Sequence, residues 1–205
     1  MKIRNLICLS GMVVGLLVAG SALAQSDKPA AAGSAAQDSM MAAMMKLMAP
    51  HEQHKNLEKF AGKWDATIKM WMDPTQPATE SKGVSVNTMI LGGRYLEQQV
   101  TSEMMGMPFE GRGLTGYDNF RGQYFGTWID NMGTGMMYCT GTGDSSGTTF
   151  TLTGKMDDMM TGVKDEPFRE TTKWTDPNTM VFEMFTTVPG QGEVRVMEIT
   201  YTRAK

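Results

Sequence analysis

The sequence predicts an all-β chain: a single up-and-down antiparallel β-barrel of about ten strands with a short N-terminal helical segment. Three observations carry this expectation. From Gly62 onward, apolar and polar residues alternate at period two in one run after another. Turn-forming clusters interrupt the runs at Asp73-Pro74, Gly92-Gly93, Asp118-Asn119, Asp144-Ser145-Ser146-Gly147, Asp176-Pro177-Asn178 and Pro189-Gly190. No helical pattern falls between them. Each strand therefore neighbours the last, and so many strands in one meander either expose two edges or close into a barrel.

Composition narrows the function classes. The chain has 205 residues, of which 41% are hydrophobic, too polar for a protein of many membrane spans. Its 19 basic and 22 acidic residues leave a net charge of −3, with no basic excess to hold nucleic acid. Two Cys and two His are too few for the usual zinc frameworks. Methionine is the outlier, with 22 residues.

The N-terminus has the order of a secretory signal peptide. Lys2 and Arg4 precede an apolar run from Leu6 to Val18, and the small-x-small triplet Ala22-Leu23-Ala24 follows. The run is shorter than the roughly 20 apolar residues of a spanning helix. We therefore expect residues 1–24 to be a leader cleaved after Ala24, no stable membrane span afterwards, and a periplasmic or secreted protein. Gln25 stands where a lipoprotein needs Cys. Cys8 leaves with the leader, so Cys139 is the one remaining thiol, and its strand-like surroundings suit a small packed residue.

Residues 25–39 hold no large apolar side chain and are expected to form a flexible linker. Residues 40–61 are expected to be a Met-rich helical segment. There Met41, Met44, Met45 and Met48 recur at helical spacing, Pro50 interrupts, and Leu57 and Phe60 continue to Gly62. Residues 62–205 form the predicted barrel domain. Trp64, Ala66, Ile68, Met70 and Met72 share one face of its first strand, and Met197, Ile199 and Tyr201 one face of its last.

Two features sharpen the barrel. Gly62-Lys63-Trp64 opens the first strand directly after a short helix, and Arg203 lies on the Tyr201 face of the last strand. This resembles the calycin superfamily of lipocalins, fatty-acid-binding proteins and avidins. The resemblance implies that Trp64 closes one barrel end and Arg203 packs across it.

Longer stretches point to a narrower likeness. They are Pro50-His51-Glu52-Gln53-His54-Lys55-Asn56-Leu57, Gly92-Gly93-Arg94-Tyr95-Leu96, Pro108-Phe109-Glu110-Gly111, Gly116-Tyr117-Asp118-Asn119, the run from Tyr124 to Gly135, and the ending Met197-Glu198-Ile199-Thr200-Tyr201-Thr202-Arg203. Together they resemble the bacterial domain of unknown function family 1579 over nearly all of residues 50–203. The resemblance implies one calycin-like barrel. It lends no catalytic residues.

The candidate ligand-binding residues are Arg94, Tyr117, Trp128 and Asp130, the polar and aromatic groups inside those motifs. Trp128 and Asp130 share a strand face with Tyr124. In a pocket, Arg94 would pair an anionic head group while aromatic rings line the apolar body. A plainer reading is a buried Arg94–Asp130 pair in ordinary barrel packing.

Gly111-Arg112-Gly113-Leu114-Thr115-Gly116 matches the dinucleotide fingerprint only literally. That site needs a helix next, and a turn follows. Soft metal is the alternative use of the Met-rich segment, with Met44, Met48, His51 and His54 as ligands suited to Cu(I), or with the thioethers as an oxidant buffer.

Three functions follow. The first is a non-enzymatic exported barrel that binds a small apolar or amphiphilic molecule and holds no cofactor. The second is a copper-binding or oxidant-buffering periplasmic protein. The third is an enzyme on the same barrel, with Arg94, Tyr117 and Asp130 in unassigned roles.

Overall fold

The computed structural model describes residues 31–158, 161–188 and 190–205. The expected leader and its cleavage point lie outside them. Two compact units divide the chain, Met1–Met41 and Ala42–Lys205. Helix α1 (Ala31–Met48) runs from the first into the second. It starts inside the stretch expected to be linker. The sequence there is rich in Ala, the best helix former.

The second unit continues with α2 (Glu52–Glu58) and ten strands: β1 (Gly62–Met70), β2 (Thr79–Ile90), β3 (Tyr95–Met104), β4 (Met107–Asp118) and β5 (Gln123–Asp130), then β6 (Met137–Gly143), β7 (Thr149–Met156), β8 (Glu166–Asp176), β9 (Thr179–Val188) and β10 (Gly192–Arg203). Each strand pairs antiparallel with the next, and β10 returns to β1, so the sheet is a closed up-and-down barrel. Closure leaves no edge to pair with another chain. Among the described residues, no helix is long and apolar enough to cross a membrane.

Register fixes which side chains point inward. Trp64 faces Arg203 on one side and Ser85 on the other, and Ile68 faces Ile199. The core gathers Trp64, Ala66, Leu96, Tyr124, Phe150, Leu152, Phe168 and Met180, all buried and all at inward positions of their strands.

His51 caps α2 through a reciprocal arrangement with His54, in which the His54 Nδ1 accepts the His51 N–H at 3.0 Å. The helix then inserts Leu57 and Phe60 into the same core, both buried. It sits at the barrel end where β1, β3, β5, β7 and β9 begin. The loops at the other end include 71–78, 105–106, 131–136, 157–158, 161–165 and 190–191.

Candidate functional site

The α2 end of the barrel is sealed by backbone carbonyls that the helix leaves unpaired. Trp64 Nε1 and Asn87 Nδ2 both donate to the Phe60 carbonyl, at 2.9 and 3.0 Å. Arg203 donates to the carbonyls of Ala61 and Lys59, each at 3.1 Å, while its guanidinium lies 4.2 Å above the Trp64 ring. One cation thus satisfies two orphan acceptors and stacks on an indole, as the calycin resemblance implies.

Gly62 has φ +122°, and a Cβ there would lie 3.1 Å from the Arg203 Nη1. A side chain would meet both backbone strain and the guanidinium. Behind this seal Phe60 meets Phe150 and Trp174, Trp174 meets Trp64, and Tyr124 meets Phe150 and Tyr117, at centroid distances of 4.9–5.7 Å. That end is filled by rings.

The middle of the barrel is different. Gln98 Nε2 donates to Ser85 Oγ at 3.0 Å, and Ser85 Oγ donates to Asn87 Oδ1 at 2.7 Å. Tyr201 on β10 reaches the Gln98 side chain across the interior, and burial pushes its hydroxyl up to about 12. Glu170 on β8 faces the same space. Burial raises its carboxyl above the ordinary range, and its Oε1 lies 3.4 Å from the Cys139 Sγ. Burial, then the Glu170 charge, pushes the Cys139 thiol up as well, so it stays protonated and is no nucleophile.

Several inward-pointing residues are only half-buried: Thr172, next to Glu170 on the inner face of β8, and Met70, Gln98, Phe182, Met197 and Ile199. A close-packed interior would bury them. They instead keep part of their surface open to water.

The four sequence-predicted ligand residues are not brought together. Trp128 and Asp130 are neighbours near the far mouth, where Trp128 Nε1 donates to Asp130 Oδ2 at 2.9 Å and Asp130 Oδ1 accepts the Met132 N–H at 3.0 Å. The Trp128 ring stacks on Phe109, with centroids 6.5 Å apart. It also lies flat over Gly111 and Gly113, where a Cβ would come within 2.2 and 3.2 Å of it. The literal fingerprint glycines thus make room for an indole on β4, with strand β5 following.

Tyr117 belongs to the aromatic seal, against Tyr124 and His54. Arg94 lies outside the barrel, neither lining it nor pairing with Asp130. It follows Gly92 and Gly93, at φ +68° and +79°, and donates to the Leu91 carbonyl at 3.2 Å and the Met48 carbonyl at 2.9 Å. The left-handed glycines swing it off the strand, so alternation does not govern it. A free carbonyl at the end of α1 takes its charge.

Of the soft-metal set, Met44 and Met48 are exposed on α1. His54 is buried and committed. Its Nδ1 accepts the His51 N–H, its ring also bonds to the Tyr117 backbone, and burial lowers its pKa. Among the described residues no group of three or more His, Cys, Asp or Glu is placed to hold a metal ion. Sequence reasoning missed Glu170. The signal was present, since alternation from Phe168 through Thr172 to Trp174 puts Glu170 on an apolar face.

Comparison with known proteins agrees with this architecture. The profile of a family described as Protein of unknown function (DUF1579) matches residues 49–203. No curated protein matches the chain. Among solved structures the chain is similar to the "Crystal Structure of Rv2717c from M. tuberculosis", with 12% identity and a TM-score of 0.56 over 77% of this chain and 100% of that one. That likeness is one of fold. A redesigned β-barrel also aligns, with 12% identity and a TM-score of 0.37 over 73% of this chain and 96% of that one, too loosely to carry an argument.

Proposed function

Because the chain belongs to the family described as Protein of unknown function (DUF1579), whose description names no reaction, we propose a function from the barrel interior itself: non-enzymatic binding of a small apolar or amphiphilic molecule. One observation carries the reading. Glu170 holds a carboxyl at an inward position in mid-barrel, on the face it shares with half-buried Phe182, Met197 and Ile199 and with polar Gln98 and Thr172. For stability alone an apolar residue would serve better there, since a buried carboxyl is costly to desolvate.

The body of the ligand would lie among Phe182, Met197 and Ile199, and its polar end near Glu170, Gln98 and Tyr201. Entry is through the end away from α2, past Trp128 and Asp130. Burying about 250 Å² of hydrocarbon contributes about 6 kcal/mol before the costs of immobilisation, which suits an affinity of tens of micromolar or weaker. We place the carrier in the periplasm or outside the cell, on the order of residues in its leader.

The test uses a neutral naphthalene probe whose fluorescence rises in apolar surroundings. It should bind the wild-type protein with an affinity of tens of micromolar or weaker. Ile199→Trp, which fills the half-buried middle, should abolish binding while the protein still melts cooperatively. An exposed change on the outer wall, Tyr138→Ser, should leave it intact. A shallow groove on that wall is lined by Tyr138, Thr140, Lys155, Arg169 and Phe185. Loss of binding in Tyr138→Ser but not in Ile199→Trp would put the probe there and overturn the interior reading.

A further inference from the structure

The charges that face the interior narrow the ligand, on the premise that the barrel is a carrier. We propose that the ligand is a lipophilic amine whose protonated nitrogen takes the Glu170 carboxylate as its counter-ion, with an apolar body lying toward the far mouth.

The register gives the inventory. Inward positions of the ten strands carry three acids, Asp130, Glu166 and Glu170, and one base, Arg203. Arg203 is already spent at the sealed end, on the Trp64 ring and two carbonyls. Both oxygens of Asp130 are occupied, by the Trp128 and Met132 N–H groups. Glu166 sits at the mouth, paired across the sheet with Met156.

Glu170 is the one acid away from the mouth that is left wanting a donor. Facing it are Cys139 from β6 and Tyr201 from β10. The thiol is a weak donor and reaches only Oε1, and the Tyr201 hydroxyl is engaged with Gln98. Oε2 receives no hydrogen bond from any described residue. An ammonium supplies both the missing donors and the missing charge. A carboxylate ligand would instead meet only like charge. Phe182 and Tyr201 share the interior face with Glu170, and ring faces favour a cation over an anion. The sequence expectation of an anionic head group rested on Arg94, which the fold places outside.

Decylamine, decanol and decanoic acid share one apolar body and separate the charge question from the cavity question. Each would compete with the neutral naphthalene probe on the full protein at neutral pH, below its micelle concentration. The amine should bind about tenfold more tightly than the alcohol, and the acid most weakly. Glu170→Gln should reduce the amine to the affinity of the alcohol and leave the alcohol unchanged.

An acid that binds as well as the amine would overturn the proposal, and so would an amine preference that survives Glu170→Gln. Either result leaves the carrier reading standing. If none of the three displaces the probe, the carrier reading falls and the amine preference falls with it. The wild-type order of affinities decides the matter even if the variant does not fold.

Discussion

Gly111→Ala adds one methyl group, yet it should be among the more costly small changes in this barrel. The added Cβ would lie 2.2 Å from Trp128 Cζ2 and 2.7 Å from Cη2. Carbon atoms rest at about 3.5–4 Å, so the ring must retreat by more than an ångström. It has little freedom to do so, with its Nε1 tied to Asp130 and its other face stacked on Phe109. Overpacking of this kind costs about 1–3 kcal/mol. Alanine in place of glycine returns about 0.5–1 kcal/mol of backbone entropy. The net loss should be about 1–2 kcal/mol.

Trp128→Ala alone should cost about 2–3 kcal/mol, below the full range for a buried indole because Trp128 is half-buried. In that background the clash is gone, so Gly111→Ala should be neutral or slightly stabilising. The cycle should therefore show a coupling of about 1–3 kcal/mol. Urea unfolding of the four proteins, followed by far-UV circular dichroism so that losing a tryptophan does not change the probe, measures it. If Gly111→Ala costs the same in both backgrounds to within about 0.5 kcal/mol, the glycines are not there to seat the ring and the reasoning is wrong.

Two further outcomes follow from the same geometry. Arg203→Ala removes the cation over Trp64 and uncovers the carbonyls of Ala61 and Lys59, so thermal unfolding should show a loss of about 2–3 kcal/mol. Arg203→Lys should recover only a minor part, because one ammonium cannot span both carbonyls and stack as a plane. Glu170→Gln should alter stability in a pH-dependent way. Burial raises the folded-state value above the ordinary 4.5, so the stability of the neutral carboxyl is present below that value and lost as pH rises through the raised one. The melting temperature of Glu170→Gln minus that of wild type should grow across this window; a difference that is flat or shrinks with rising pH contradicts a Glu170 whose charged form is penalised by burial.

The sequence by itself determined the barrel. Period-two alternation can satisfy its apolar face only in a sheet with one side buried, and ten strands joined by short turns leave closure as the way to remove two edges. The Trp64–Arg203 partnership was legible for the same local reason: each residue's face follows from counting along its own strand. The helical span of residues 31–39 was not, because a run of Ala and Ser reads as linker until its neighbours extend a helix through it.

Tertiary structure alone decided where charge meets the interior. Arg94 was expected at a pocket, but two left-handed glycines turn it out toward a helix end. Glu170 could be placed on an inward face by alternation, yet its isolation could not. That depends on Cys139, Gln98 and Tyr201, brought beside it by strands far apart in the chain. The fingerprint glycines likewise gained their meaning from Trp128 on the next strand. Patterning along a strand encodes which way a side chain points, a property of the local backbone. What it meets there depends on register between strands and on barrel closure, which come from the summed packing of all ten.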